Sequence, residues 1–411
     1  MKKSKFSLLI CCIMVVVILG LFGACSKAET TANPTSGLAP EVNKLRIGIL
    51  VAMTGWFAPF DMLNWQENEI VADMINEEGG ITVNGKKYEL ELIPEDYKSS
   101  LDGVTAATTK LVYDKKVQFI VGPAAFFSSA TAAICDPNKV IHVLGACMYT
   151  PGECDATTPY AFLAKNATLG HAQAVLGYFK EKHPEVKSVV MVTAAPAILD
   201  FWFPKVQKMA KDYGITIVGD PIAFPDDMVD YSPIAAKIAA TKADAIYMQL
   251  GIASHMGAVL KGVRELGDNR LFGAAIASSP SEIVSLAGEA AARNAFTLAP
   301  TQGALGNTPQ CEEFIKRLKE RFGPDRAIVM EVCNALLIFK QVIEKAQSFD
   351  TTVVKDTWEK IGTVETLWGT GKIGGLETNG IAHAISHRQS IALLDENGEM
   401  KFDGWMDVDI P

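Results

Sequence analysis

The chain has 411 residues, of which 49% are apolar and 21% are charged, with 33 glycines and 19 prolines. This composition is globular and excludes wholesale disorder and fibrous repeats, and the length suggests two or three lobes. The net charge is −9 and no lysine- or arginine-rich block occurs, so the sequence predicts no nucleic-acid partner.

Residues 1–24 have the layout of a secretory signal peptide. Lys2, Lys3 and Lys5 form a basic start, and the uncharged run 6–24 ends in small residues. The sequence therefore predicts export, with a mature chain that begins after residue 24. Removing the three lysines from the net charge of −9 leaves −12 for that mature chain.

Cys25 is the candidate anchor. The run Leu21-Phe22-Gly23-Ala24-Cys25 resembles a bacterial lipobox, although Phe22 stands where leucine is usual. We predict lipidation of Cys25 and a location in the cell envelope, outside the cytoplasmic membrane, since two or three acyl chains give stable anchoring. The uncharged run is also long enough to serve as an uncleaved membrane helix, and a soluble secreted form is the third alternative.

Residues 25–43 are polar, contain two prolines and lack an apolar period, so we interpret them as the lipidated cysteine and a flexible tether.

Five further cysteines follow the tether. Cys147 and Cys154 would close a short loop if paired, which is permitted outside the cytoplasm, and buried free thiols are the alternative. No cysteine spacing fits a zinc pattern, so we predict neither a metal site nor a cofactor.

From residue 44 the chain alternates short apolar strands with helical segments. The first series is predicted as strand 45–51, helix 64–76, strand 88–94, helix 101–113, strand 117–121, helix 128–134 and strand 140–144. The second is predicted as strand 189–192, helix 203–213, strand 215–219, helix 233–240, strand 245–250, helix 256–266 and strand 271–275. Continuous apolar strands between helices indicate parallel sheets covered on both faces, so we predict an α/β fold of two doubly wound lobes.

The last third of the chain does not begin a third domain. Segments 311–322 and 328–346 are predicted helices, and 366–380 is rich in turn residues. Strands at 390–394 and 400–402 flank Glu396-Asn397-Gly398, which predicts a hairpin. We expect these pieces to complete the earlier lobes.

Motifs of catalysis are missing from the sequence. Residues 80–86 match GxxxxGK, but Lys87 replaces the Ser or Thr that would hold Mg²⁺, and Asn84-Gly85 is better interpreted as a hairpin turn. His383 and His387 are four residues apart without a third ligand nearby, so we interpret them as structural. We predict no catalytic residues.

The loops at the carboxyl ends of the strands are the candidate ligand site, because parallel sheets bind ligands there. Ser128 or Ser129 would cap a helix whose free N–H groups hold a carboxylate, and aromatic side chains around it would enclose an apolar body. Each aromatic residue has the alternative of belonging to a lobe core. The predicted ligand-binding residues are Trp56, Phe57, Phe127, Ser128, Ser129, Ala146, Cys147, Met148, Trp202 and Gln249.

The order of several motifs resembles the type I periplasmic-binding proteins of ABC importers, in the leucine/isoleucine/valine-binding branch. The resemblance covers residue 44 to the C-terminus. It rests on RIGILVAMTG (46–55), the segment 75–81, FIVGP (119–123), the segment 158–174, the turn Asp230-Tyr231-Ser232-Pro233 and the segment 369–373.

The resemblance implies two lobes joined by three crossovers, near 162–166, 296–300 and 367–370. One lobe would comprise 44–164 and 300–367, and the other 165–299 and 368–411. The family mechanism is hinge closure, in which a small solute bridges both lobes and the closed form docks on the permease subunits; contacts made only in the closed form must supply the free energy.

Departures from the amino-acid binders bear on the choice of solute. Met148 stands where those relatives have a hydroxyl residue, and Ile198-Leu199 stands where they have Tyr-Gly. The segment 272–279, where the acidic partner of a solute ammonium would lie, has no carboxylate, although Asp200 is a possible substitute. Since an unpaired ammonium in an apolar cleft is costly, we predict an aromatic or branched carboxylate or an apolar amide.

Three other functions remain open: a receptor for a hydrophobic amino acid, an exported α/β enzyme, and a sensor whose partner is a receptor kinase. An enzyme would need a nucleophile with its base, or a metal cluster, on the strand-end loops, and the sequence has neither.

Overall fold

The computed structural model describes residues 43–123, 127–145, 147, 150–225, 228–277, 280–298, 308–330, 332–394 and 400–411. Several predictions lie outside these residues: the signal peptide, Cys25, the tether before Asn43, Ala146 and Met148. None of the described helices is both long enough and apolar enough to cross a membrane.

The described residues form seventeen strands and thirteen α-helices. The strands are β1 Asn43–Val51, β2 Ile81–Val83, β3 Lys86–Asp96, β4 Phe119–Val121, β5 Ile141–Leu144, β6 Ala161–Leu163, β7 Ser188–Thr193, β8 Thr216–Ile217, β9 Ile222–Ala223, β10 Ala245–Gln249, β11 Leu271–Ala277, β12 Ala295–Leu298, β13 Thr363–Thr366, β14 Gly369–Gly374, β15 Ala384–Ser386, β16 Gln389–Leu394 and β17 Met400–Met406. The helices are α1 Ala58–Glu77, α2 Leu101–Thr109, α3 Ser129–Cys135, α4 Thr168–Lys182, α5 Leu199–Asp212, α6 Ser232–Ala239, α7 Ala253–Glu265, α8 Pro280–Ala287, α9 Glu289–Ala292, α10 Pro309–Phe322, α11 Asn334–Ala346, α12 Thr351–Lys360 and α13 Leu376–Asn379.

Two large sheets confirm the predicted α/β fold with parallel-sheet lobes. The first has the order β2-β3-β1-β4-β5-β6 and is parallel except for β2. The second has the order β17-β16-β12-β11-β10-β7-β8; its strands from β12 to β8 are parallel, and β16 and β17 are antiparallel. The central strands are buried throughout, as expected for sheets that helices cover on both faces.

The turn between β2 and β3 has the predicted geometry. Asn84 and Gly85 both have positive φ, 49° and 74°, and β2 and β3 pair in antiparallel register on either side. Positive φ at both central residues is the requirement of a type I′ hairpin turn, which Asn-Gly meets with little strain. The GxxxxGK match at 80–86 is therefore a hairpin.

The last third of the chain packs onto the two sheets as well as forming a small sheet of its own. α10 and α11 pack against α1, which covers the first sheet, while β16 and β17 extend the second. The segment 366–380, predicted to be turn-rich, contains β14 and α13, and β14 joins β13 and β15 in a third, antiparallel sheet.

The predicted helix 328–346 begins later than expected, at Asn334. The reason is a tertiary contact: the carboxylate of Glu67 on α1 accepts from the backbone N–H groups of Val329 and Met330, at 2.7 and 2.6 Å. Met330 has φ of +48°, which is outside the right-handed helical region. The segment before α11 is therefore fixed to α1 instead of being helical.

Candidate functional site

The loop after β1 is held in place by side chains from neighbouring segments. Asp96, at the end of β3, accepts from the N–H groups of Met53, Thr54 and Lys98, and from the Thr54 hydroxyl at 2.7 Å. Although desolvation raises the pKa of Asp96, these hydrogen bonds outweigh it and lower the pKa below its usual value. The carboxylate is thus ionised, and both of its oxygens accept hydrogen bonds that fix the conformation of this loop.

Two more side chains complete the bracing. Ser99 Oγ donates to the Thr54 carbonyl at 2.8 Å and accepts from the Phe57 N–H at 3.0 Å. Gly55 lies in the loop between Thr54 and Phe57 and has φ of +92°. A Cβ at this position would approach Ser99 Oγ to 2.6 Å, so only glycine fits. At the start of the loop the Ala52 N–H donates to Asp61 at 2.6 Å.

Trp56 projects from this braced loop, and its side chain is 68% exposed. It packs beside Phe57 and Phe127, at ring-centroid distances of 5.2 and 6.0 Å. A large aromatic side chain on a rigid strand-end loop, accessible to solvent, is typical of a ligand-binding position.

Phe57 and Phe127 are themselves buried. With Tyr97 they form an aromatic cluster in the core between the first sheet and the helices α2 and α3. Of the aromatic residues predicted on this lobe, only Trp56 has most of its surface free for a ligand. Phe57 and Phe127 pack against the Trp56 ring on its core side.

The serine cap predicted for α3 is not formed. Ser128 occupies the N-cap position with helical backbone angles, and its side chain makes no capping hydrogen bond. Its carbonyl instead accepts from the Thr131 hydroxyl at 2.9 Å. Helical angles at Ser128 point its hydroxyl away from the first N–H groups, which a cap in extended conformation would reach. Ser129 is exposed on the first turn.

Cys147 is buried after β5, and its carbonyl accepts from the Thr168 hydroxyl at 2.9 Å. All five cysteines of the described residues are buried free thiols. The alternative of a Cys147–Cys154 disulfide is therefore wrong.

In the second sheet, the carboxyl end of β10 has an unusual backbone. Leu250 has φ of +60° and Gly251 φ of +140°, which places Ile252 at the surface with 50% exposure. A leucine in the left-handed region is strained, and such strain is found more often at functional sites. Gln249 itself is buried and bonds to the Thr168 carbonyl at 3.1 Å.

The burial of Trp202 favours the alternative that this residue belongs to a lobe core. Its side chain has no exposed surface and lies in the main hydrophobic core with Val206 and Ala210, the other buried residues of α5. Helical spacing places these three on the inner face of α5, whereas Phe201 points outward with 43% exposure. Asp200, the candidate acidic partner, is exposed on the first turn of α5.

The crossover region contains polar contacts that the sequence did not reveal. The Asn166 side chain pairs with the backbone of His387, donating to its carbonyl and accepting from its N–H, both at 2.9 Å. Asn334 accepts from the Leu367 N–H at 2.8 Å. Residues of the first crossover thus bond directly to the C-terminal segment. No local motif indicates such pairs, because their members are 221 and 33 positions apart.

A small cavity of about 50 Å³ lies at these crossovers, lined by Lys165, Asn166, His171, Met330, Trp368 and His387, among others. Burial lowers the pKa of His387 to about 4, and burial together with the charge of Lys165 lowers that of His171 to about 3. Both imidazoles are therefore neutral at pH 7. The cavity has room for a few water molecules.

His383 joins three elements of the same region. Its Nδ1 lies 2.7 Å from the Ala161 carbonyl and its Nε2 lies 2.8 Å from Glu359 on α12. The ring stacks on Phe162 at a centroid distance of 3.8 Å. His383 therefore links β6, α12 and the segment before β15.

We expect the free energy of unfolding to fall at acidic pH because of this cluster. Hydrogen bonds from His383 and then Lys355 lower the pKa of Glu359 to about 2, despite partial desolvation. The folded pKa is below the unfolded value, so the stabilisation is complete above about pH 4.5 and is lost as the pH falls toward 2. Glu359→Gln should lose about 1 kcal/mol at pH 7, because solvent screens this partly exposed carboxylate, and the difference from the parent should shrink at pH 3.

Urea unfolding at both pH values tests this, with the exposed Glu320→Gln of α10 as the matched control. A Glu359→Gln variant that loses as much at pH 3 as at pH 7 would show that the charge of Glu359 is not the cause.

Among the described residues, no group of three or more His, Cys, Asp or Glu side chains is arranged to hold a metal ion.

Two parallel-sheet lobes linked by crossovers, with exposed apolar side chains on strand-end loops, define a two-lobed binding protein of the α/β class.

A family model described as periplasmic binding protein matches residues 44–391. The chain belongs to this family, which confirms the resemblance found in the sequence. Members are solute-binding proteins, and the family implies a location outside the cytoplasm.

Solved structures share this fold. LivJ of Streptococcus pneumoniae, a branched-chain amino acid transporter substrate-binding protein in complex with isoleucine, is 18% identical over 89% of this chain and 100% of that chain, with a TM-score of 0.66. The leucine-binding protein LivK of Thermotoga maritima is 21% identical over 88% and 99%, with a TM-score of 0.65. An ABC transporter solute-binding protein from R. palustris, in complex with benzoate, is 16% identical over 89% and 97%, with a TM-score of 0.63.

Proposed function

We propose that this protein is the extracytoplasmic solute receptor of an ABC importer, that it is not an enzyme, and that it captures a small apolar carboxylate and presents it to the permease. The observation that carries the proposal is Trp56, which is 68% exposed on a loop fixed by Asp96 and Ser99. Preorganised aromatic surface favours a planar apolar guest, because little conformational entropy is lost on binding.

The composition of the second-lobe loops supports a guest without an ammonium group. Ile252 and Phe201 offer exposed apolar surface, and β11, which spans most of the segment 272–279, carries no carboxylate. Asp200 is exposed to water, where a charge pair contributes little. The relative that binds benzoate is consistent with this choice.

A hydrophobic amino acid is the second candidate. The observation in its favour is the relative of the same fold in complex with isoleucine. For this guest Asp200 would have to approach the ammonium when the lobes close.

Closure would occur between a lobe of residues 44–164 with 300–367 and a lobe of residues 165–299 with 368–411. The packing of α10 and α11 on α1, and the pairing of β16 with β12, support these boundaries. The bonds between Asn166 and His387 support a hinge at the crossovers.

A thermal-shift screen tests the function. At 100 times its dissociation constant, a solute should stabilise the protein by about 2.7 kcal/mol. We expect benzoate and branched carboxylates to raise the melting temperature more than isoleucine does. Stabilisation by isoleucine alone would favour the amino-acid receptor. Turnover of an ester or amide substrate would contradict a receptor and favour an enzyme.

The anchor is tested separately. In Cys25→Ser, the protein should leave the membrane fraction and appear in the soluble fraction, since the thiol that would carry the lipid is gone. Immunoblotting of the fractions measures this, with Cys135→Ser as the control for thiol loss. Membrane attachment that persists in Cys25→Ser would favour an uncleaved helix.

A further inference from the structure

A run of hydrogen bonds, here called the relay, connects the carboxyl end of β10 to Cys147, three residues after the end of β5. The Tyr247 hydroxyl donates to Gln249 Oε1, and Gln249 Nε2 donates to the Thr168 carbonyl at 3.1 Å. The Thr168 hydroxyl then donates to the Cys147 carbonyl at 2.9 Å. All four residues are at least 96% buried.

Each bond in this relay has a defined direction. The Thr168 carbonyl can only accept, so Gln249 presents its NH₂ group there and its Oε1 to the Tyr247 hydroxyl. The Thr168 hydroxyl has the Cys147 carbonyl as an acceptor-only partner. Because buried polar groups left without partners are costly, the relay restrains the relative positions of its members.

The relay joins the two sheets. Cys147 follows β5 of the first sheet, Gln249 ends β10 of the second, and Thr168 is the first residue of α4, directly after the first crossover. α4 packs against β11 and β12 and therefore moves with the second sheet. The bond between Thr168 and Cys147 thus crosses from one lobe to the other.

We propose that Thr168 is a positioning residue for the solute site. Its hydroxyl holds the backbone at Cys147 at a set distance from the end of β10, so that the two walls are prearranged for a small planar guest. Thr168 is itself buried and acts through Cys147. This inference rests on the proposed function and on the prediction that Cys147 and Gln249 lie at the solute site.

Two substitutions separate the hydroxyl from the shape of the side chain. Thr168→Val keeps the branched volume and removes the donor, whereas Thr168→Ser keeps the donor. With benzoate and isoleucine as the titrated probes in calorimetry, we expect Thr168→Val to bind the preferred probe about tenfold more weakly. Thr168→Ser should stay within about threefold of the parent. Melting temperatures of both variants show whether the fold is retained.

A second measurement does not depend on any ligand. In the full chain, alkylation by N-ethylmaleimide is followed at each cysteine by mass spectrometry. Thr168→Val should react at least several-fold faster at Cys147 than the parent does, while Cys135, the buried last residue of α3, reacts at the parental rate.

The outcomes are distinct. Parental affinity in Thr168→Val, or an unchanged rate at Cys147, overturns the positioning role. Weakening in Thr168→Ser equal to that in Thr168→Val also overturns it, because the hydroxyl would then not be the cause. If the parent binds neither probe nor any solute of the screen, the proposed function fails, and the rate at Cys147 still decides whether Thr168 positions this residue.

Discussion

Replacing Glu67 with glutamine is expected to lower the free energy of unfolding by about 3–5 kcal/mol. Glu67 has no exposed surface, and its carboxylate lies 2.9 Å from the guanidinium of Arg326, whose side chain is 5% exposed. Removing one member of a buried ion pair leaves the other charged and without compensation, which is the main source of the loss. The backbone N–H groups of Val329 and Met330 lose an acceptor charge as well.

The electrostatics of this pair are finely balanced. Burial raises the pKa of Glu67, and the charge of Arg326 with the two backbone N–H groups opposes that rise. A variant that replaces both members with methionine should therefore lose less stability than Glu67→Met and Arg326→Met lose in sum, because it leaves no unpaired buried charge, although the N–H groups of Val329 and Met330 lose their acceptor.

Urea unfolding of Glu67→Met, Arg326→Met and the double methionine variant measures the coupling between the two side chains. Glu320→Gln, an exposed carboxylate on α10, should change stability by no more than about 0.5 kcal/mol. A loss below 1 kcal/mol in Glu67→Gln would contradict the buried pair described above.

The largest expected effect on binding is that of Trp56. Trp56→Ala should weaken the preferred solute by about 2 kcal/mol or more, a factor of roughly 30, because enclosed aromatic side chains contribute most to such sites. Stability should hardly change, since the side chain is already 68% exposed in the unliganded protein.

Calorimetry with the solute from the screen gives the affinity, and thermal unfolding without solute gives the stability. Trp56→Phe should retain part of the affinity, and Leu266→Ala, an exposed apolar residue at the end of α7, should retain all of it. If Trp56→Ala binds as the parent does, Trp56 is outside the solute site.

The fold could be predicted because its determinants are local. The apolar run of β1, the helical spacing within α1 and the Asn84-Gly85 turn each have a period or turn chemistry that can be read within a short window. The alternation of such elements limits the architecture to parallel sheets between helices. The start of α11 could not be found in this way, because Glu67, far away in the sequence, binds the N–H groups of Val329 and Met330.

The site was harder to predict than the fold. Trp56 and Phe57 are adjacent aromatic residues on one loop, yet one is exposed and the other is core. The sequence predicts the strand-end loops but not the direction of each side chain within them. Trp202 was predicted on such a loop, before a helix at 203–213, whereas α5 begins at Leu199 and includes Trp202 on its buried face. The relay through Thr168 could not be predicted, because its contacts span 21 and 81 positions and leave no local pattern.

The bond between Glu67 and Met330 spans 263 positions. A polypeptide made from its N-terminus therefore has α1 long before the partners of that carboxylate exist. Until those partners arrive, the first lobe keeps an unsatisfied acid on an apolar surface, and contacts of such long range form slowly. Chaperones should accordingly be able to bind the incompletely folded nascent chain until nearly all of it has been synthesised.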